Sequence, residues 1–179
     1  NPNLRPEKSQ NFEVGARGRL QALSIEAAAF TGRYKDFIED LQQVSGTGAP
    51  GNPLVFQSIN RDRARIRGAE IEARWALDAL SEHARGVYAD LSASWIEGDD
   101  TSRDLPLNSV PPPRASLGAG FESADGRWGS ELRLTGVKRV SRADQSAGPL
   151  FLPPGYANWD LHAWASLGEQ VRLNLSVFN

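Results

Sequence analysis

Apolar and polar residues alternate one for one along most of this chain, and a period of two admits little besides β-strands with two unlike faces. Phe12, Val14, Ala16, Gly18 and Leu20 fall on one side of the first such segment, with Glu13, Arg17 and Arg19 on the other. Leu23, Ile25, Ala27 and Ala29 oppose Ser24, Glu26 and Ala28, until the alternation blurs at Phe30. The pattern returns in Ala69, Ile71, Ala73 and Trp75, and again in Val87, Ala89, Leu91, Ala93 and Trp95. Four more segments follow: Ala115 to Phe121, Trp128 to Leu134, Ala157 to Leu167 and Val171 to Val177. The spacing predicts about eight strands, each joined to the next as an antiparallel up-and-down meander. No long helical pattern competes. Residues 76–84 have room for one helical turn and read as a connection.

An all-β chain of this kind can be a soluble sandwich or the wall of a membrane barrel. The mean hydropathy of -0.45 does not separate them, because barrel strands average to a mild value. It does count against a helical membrane protein, since no apolar run approaches the roughly 20 residues such a helix needs. The connections are more telling. Short ones lie near 21–22, 123–127 and 168–170, and long ones rich in Gly, Pro, Ser and Asp near 40–57, 98–113 and 141–155. All the long ones fall at one end of the meander, as in outer-membrane barrels with short periplasmic turns and long extracellular loops.

Aromatic residues point the same way. Trp75, Phe121 and Trp128 mark the apolar face near the short turns, and Phe12, Trp95 and Trp159 mark it near the long loops. Two belts with Ala, Val and Leu between them suit a membrane with two interfaces. A sandwich core would place its large rings at mid-strand, where volume must be filled. Charge is confined to the other face within the spans; Arg63, Arg65 and Arg67 share the apolar parity but are expected beyond the membrane.

Composition removes several function classes. A net charge of -2 and a pI near 5.7 give no basic excess for nucleic acid. Cysteine is absent, so no disulfide or thiolate metal site is available. No nucleophile–His–acid arrangement, phosphate loop or metal-ligand spacing is present, so an enzyme, a cofactor or a bound metal is not expected. The chain opens at Asn1-Pro2-Asn3-Leu4 without Met or a signal peptide and stops at a strand end, which predicts a section of a longer polypeptide.

Particular stretches carry a resemblance. Asn1-Pro2-Asn3-Leu4-Arg5-Pro6-Glu7 followed by Phe12-Glu13-Val14-Gly15 resembles the segment that opens the final part of TonB-dependent receptor barrels. Ala64-Arg65-Ile66-Arg67-Gly68-Ala69-Glu70-Ile71-Glu72, Pro111-Pro112-Pro113-Arg114 and Leu173-Asn174-Leu175-Ser176-Val177-Phe178-Asn179 are similar to the same class, in the same order. The resemblance covers essentially the whole chain and implies about eight strands of a barrel of roughly 22, its lumen plugged. It implies an outer-membrane receptor for an iron carrier, haem or a ferric siderophore. The partners implied are outer-membrane lipid, the carrier, and TonB through a plug domain that is not in this sequence. The usual aromatic C-terminal end is also not in it. The Asn-Pro-Asn-Leu box is similar to one in haem and haemoglobin receptors. A passive porin-like barrel and a soluble β-sandwich binding module remain the alternatives.

Only two histidines are available. His83 falls in a connection and reads as a surface residue. His162 shares the polar face with Asp160, and the two are the candidate ligand-binding pair of this chain. A hydrogen bond within the polar wall is the ordinary role for such a His, and a haem or metal ligand the special one. The long loops are the expected place for contact with a substrate.

Overall fold

The computed structural model describes residues 3–79 and 81–179, so the first two residues of the Asn-Pro-Asn-Leu box lie outside it. Nine strands form one antiparallel sheet: β1 (Lys8–Leu20), β2 (Leu23–Ser45), β3 (Val55–Ala76), β4 (Val87–Asp100), β5 (Leu105–Pro106), β6 (Arg114–Glu122), β7 (Trp128–Val137), β8 (Tyr156–Leu167) and β9 (Val171–Phe178). Eight follow in sequence order across the sheet, and the two-residue β5 pairs only with β4. The 76–84 connection holds two single 3-10 turns, Leu77–Ala79 and Glu82–Ala84.

Register makes the faces continuous. Val14 stands opposite Ala29, Ala29 opposite Ala69, and Ala69 opposite Trp95. Further along, Leu91 meets Leu117, Leu117 meets Leu134, Leu134 meets Trp159, and Leu161 meets Val177. Every apolar set marked in the sequence therefore shares one face. A one-residue slip anywhere would turn a whole strand over, so the apolar pattern and the pairing specify each other.

That face has no protein cover among the described residues. Leu132, Leu173, Leu175, Trp128 and Trp75 are all exposed. Among the described residues, the only buried hydrophobic ones are Ala64, Tyr88 and Leu107. A sandwich needs a second sheet about 10 Å away to close its core, and here there is one sheet. The sandwich expectation is corrected on that ground. The apolar face requires an apolar solvent, which a bilayer supplies.

Two strands are longer than expected. β2 has 23 residues and β3 has 22, against the roughly 9–11 that cross a membrane. β1 pairs with β2 as far as Lys35, and β4 with β3 as far as Ala64. Beyond those points β2 and β3 pair only with each other and project as a two-stranded ribbon. The expected 40–57 loop is therefore mostly paired, and its turn spans only 46–54. The polar residues Asp40, Gln42 and Gln43 hid the pairing, which passes a bulge between Glu39 and Gln42 with Leu41 at a φ of 52°. At the turn, Gly46 has a φ of 87° and packs so closely on Pro53 that no Cβ fits.

A charge placed on the apolar face tests its solvent. In the full-length polypeptide carrying this segment, Leu132→Arg should cost about 2–4 kcal/mol in bilayer-embedded urea unfolding. Asn174→Arg on the opposite face should cost under about 0.5 kcal/mol. Equal costs would mean that both faces meet water.

Candidate functional site

The polar face is organised around Arg133. Its guanidinium contacts Asp90 at 2.9 Å and Glu131 at 2.7 Å. The Tyr88 hydroxyl donates to the same Glu131 at 2.9 Å, and Arg74 lies 3.7 Å over the Tyr88 ring. These residues sit on β3, β4 and β7, yet β6 runs between β4 and β7. Glycine explains how they meet. Gly118 lies between Asp90 and Arg133 in the register, and Gly120 between Tyr88 and Glu131. A Cβ at Gly118 would collide with the Asp90 carboxylate, and one at Gly120 with the Tyr88 ring. Both side chains thus lie flat across β6 to reach β7. Gly129 gives room to the Trp164 ring of β8 in the same way. Nearer the short turns, Arg17 holds Glu26 with two hydrogen bonds of 2.8 and 2.9 Å.

At the long-loop end a second cluster is buried. Arg61, on the β3 half of the ribbon, contacts Glu39 of β2 at 2.8 Å and Asp144 of the β7–β8 loop at 3.4 Å. Asp100 at the end of β4 lies 4.0 Å away, and Arg103 reaches Asp144 at 3.5 Å. Asn108 completes the clasp. Its N–H donates to Glu39 at 2.7 Å, and it exchanges two hydrogen bonds with the Asp144 backbone. One Asp100 oxygen accepts from Ser102 and from the Arg103 N–H; the other is buried without a hydrogen bond and is held by the Arg61 charge. Glu39 is fully buried, a state a carboxylate tolerates only when paired. Burial opposes ionisation of Asp144, but Ser146, Arg103 and Arg61 outweigh it and hold the carboxyl below the usual aspartate range. Three separate connections are fastened by this one arginine.

His162 and Asp160 are both on the polar face of β8, two residues apart. Nδ1 of His162 is 2.9 Å from the Ser176 hydroxyl of β9, and the ring stacks on Trp164 at 5.6 Å. Glu131 is its register neighbour, while Asp160 stands opposite Arg133. Among the described residues no group of three His, Cys, Asp or Glu side chains is placed to hold a metal ion. Sequence reading noted the parity of Arg63, Arg65 and Arg67 but missed Arg61 and its clasp. Asp144 is 83 positions from Arg61, and no local pattern connects them.

The family model described as TonB dependent receptor-like, beta-barrel matches residues 1–179. The chain belongs to that family. Hemoglobin-haptoglobin utilization protein B of Neisseria meningitidis serogroup A is 29% identical over 205 residues, covering 100% of this chain and 25% of the relative. Vitamin B12 transporter BtuB of Vibrio vulnificus is 36% identical over 104 residues, covering 58% of this chain and 15% of the relative. Among solved structures, Copper transporter OprC superposes with a TM-score of 0.80 at 23% identity, over 99% of this chain and 26% of its own length. This receptor segment therefore spans about a quarter of the length of the relatives that it matches from end to end.

Two tests follow from these clusters. Gly120→Val, which displaces the Tyr88 ring, should cost roughly 1–3 kcal/mol in urea unfolding. Gly136→Val, on the apolar face with nothing within 4 Å of its added Cβ, should be near neutral. The second test is pH. A carboxyl with a depressed folded pKa stabilises fully above its unfolded value of about 3.9, and that contribution is lost as pH falls through the lower folded value. Hydrogen exchange over residues 141–155 should distinguish wild type from Asp144→Asn between pH 7 and about 4, and the difference should shrink only as pH falls below the ordinary aspartate range. A difference that vanishes already near pH 6 would mean that Asp144 does not hold the clasp.

Proposed function

We propose that this chain forms barrel wall and extracellular loops of an outer-membrane receptor that imports an iron carrier, haem or a ferric siderophore, with energy delivered through TonB. The observation that carries the reading is the uncovered apolar band on one face of a single sheet, in a chain matched along its whole length by a haemoglobin–haptoglobin utilization protein. The wall performs no bond chemistry. The Arg133 network stiffens the lumen side, and the Arg61 clasp holds three connections as one body above the membrane, where a carrier arrives. In this reading a plug domain elsewhere in the polypeptide fills the lumen and contacts TonB. His162 and Asp160 face that lumen as candidate contacts for the plug or the passing carrier.

Growth measures this directly. Deleting the gene should abolish growth on one iron carrier as sole iron source, with haem and haemoglobin tried first. Deleting TonB should give the same defect. Uptake that persists without TonB would make the barrel a passive porin. If His162 serves as a ligand, His162→Ala should slow growth on haem without lowering the amount of receptor in the membrane.

A further inference from the structure

The face that carries the apolar band does not stay apolar. The β1–β2 and β2–β3 registers run without a slip from the band past its loop-side edge. In the row of Phe12, Thr31 stands opposite Arg67. One row further, Gln10, Arg33 and Arg65 lie side by side; in the next, Lys8, Lys35 and Arg63 do. Neighbouring strands are about 4.8 Å apart, so five exposed cations occupy two adjoining rows. Like charges directly opposite one another destabilise a sheet.

The nearby carboxylates relieve this crowding only in part: Asp99 stands beside Arg65 in the register but is bonded to Arg142, and the others have partners elsewhere. Glu97 binds Arg67 and Arg142, Asp99 binds Arg142, and Asp36 and Asp62 bind Arg5. Glu7 accepts the Ile38 N–H, and Asp40 accepts from Ser58. Among the described residues, no ion pair reaches Lys8, Arg33, Lys35, Arg63 or Arg65. All of them but Arg65 border a surface depression of about 660 Å³, whose lining also includes Arg5 with its partners Asp36 and Asp62.

Below the cations, on the same face, lies an apolar depression of about 900 Å³ floored by Ala16, Ala27, Ala29, Ala69 and Ala93, with Trp95 at its edge. Arg67 sits 5.9 Å over the Trp95 ring, at the junction of the two. The sequence of environments is cationic, aromatic, then smooth and apolar, in the direction from loop end to turn end.

We infer that this face is a binding site for a phosphorylated lipid of the surrounding outer leaflet. Its headgroup phosphates lie against Lys8, Arg33, Lys35, Arg63 and Arg65, and its acyl chains lie in the alanine-floored depression. The inference rests on the membrane placement under Proposed function but not on the identity of the carrier. Phosphate removes the repulsion between the two rows, so the lipid fastens β1, β2 and β3 together where the ribbon leaves the sheet.

The test uses the full-length polypeptide in phosphatidylcholine nanodiscs containing either diphosphorylated lipid A or the same lipid without its phosphates. Native mass spectrometry counts the lipid retained. Wild type should favour the phosphorylated form by roughly tenfold or more, and added salt should weaken that preference. The quadruple variant Arg33→Gln, Lys35→Gln, Arg63→Gln, Arg65→Gln should lose it. Arg33→Lys, Arg63→Lys, Arg65→Lys should keep most of it, because the site needs charge more than a planar fork. Equal retention of both lipids by wild type overturns the inference, as does an undiminished preference in the glutamine variant. If that variant fails to fold, as read from heat-modifiable migration, the wild-type preference and its salt dependence decide. A receptor that enters the bilayer and shows no phosphate preference sinks this inference alone. One that never enters the bilayer sinks the membrane reading with it. Lost lipid preference with intact carrier growth, or the reverse, separates the site from transport.

Discussion

Backbone pairing in a solvent that offers no hydrogen bonds is the constraint on which this structure depends. Every N–H and C=O within the hydrocarbon must find a partner in the chain itself, since each unpaired group there costs several kcal/mol. A continuous ladder meets that demand, and a ladder with period-two side chains necessarily has two faces. The apolar face is then free to be poorly packed by the standards of a protein core. Ala27, Ala69, Ala93 and Ala115 would leave voids against a second sheet, but lipid closes over them. The edge strands β1 and β9 leave unpaired ladder groups on this segment, and in a complete barrel neighbouring strands would take them.

The polar face solves the opposite problem. Within the apolar band charges cannot go outward, so they are collected inward and satisfied by one another. Arg133 is the example: one guanidinium serves carboxylates from two strands, and Tyr88 caps the remaining Glu131 oxygen. At the loop end, Arg61 repeats the device with three carboxylates. Buried ion pairs of this sort add little net stability over apolar packing, but removing one partner is severe. They are better understood as fixing which segments sit together than as making the fold strong.

How much of this could be read in the sequence depended on whether the cause was local. Val87 to Trp95 and Ala157 to Leu167 show their faces in a window of a few residues, because the side-chain period lies within the strand. The short connection near 123–127 was legible for the same reason: its Gly126 takes a φ of 67° that few other residues accept. The upper halves of β2 and β3 were not, since Asp40 to Gln43 read as loop until Gln42 is seen opposite Gln57. His162 was correctly placed on the polar face, but its bond to Ser176 exists only through the β8–β9 register. Gly118 and Gly120 were visible as glycines, though their use by Tyr88 and Asp90 was not. The cations at 63, 65 and 67 were seen on one strand; that Arg33 and Lys35 stand beside two of them requires the pairing.

The glycines at 118 and 120 bear on the relief of the polar face. A tyrosine or aspartate standing upright from a strand narrows whatever space it faces. Here both are laid along the wall and pinned there by Glu131 and Arg133, so their length is directed around the circumference rather than toward the axis. Over Gly118 and Gly120 the polar face of β6 is covered by the flattened Asp90 and Tyr88 side chains. The polar face of the sheet is therefore low at the place where it is most densely bonded.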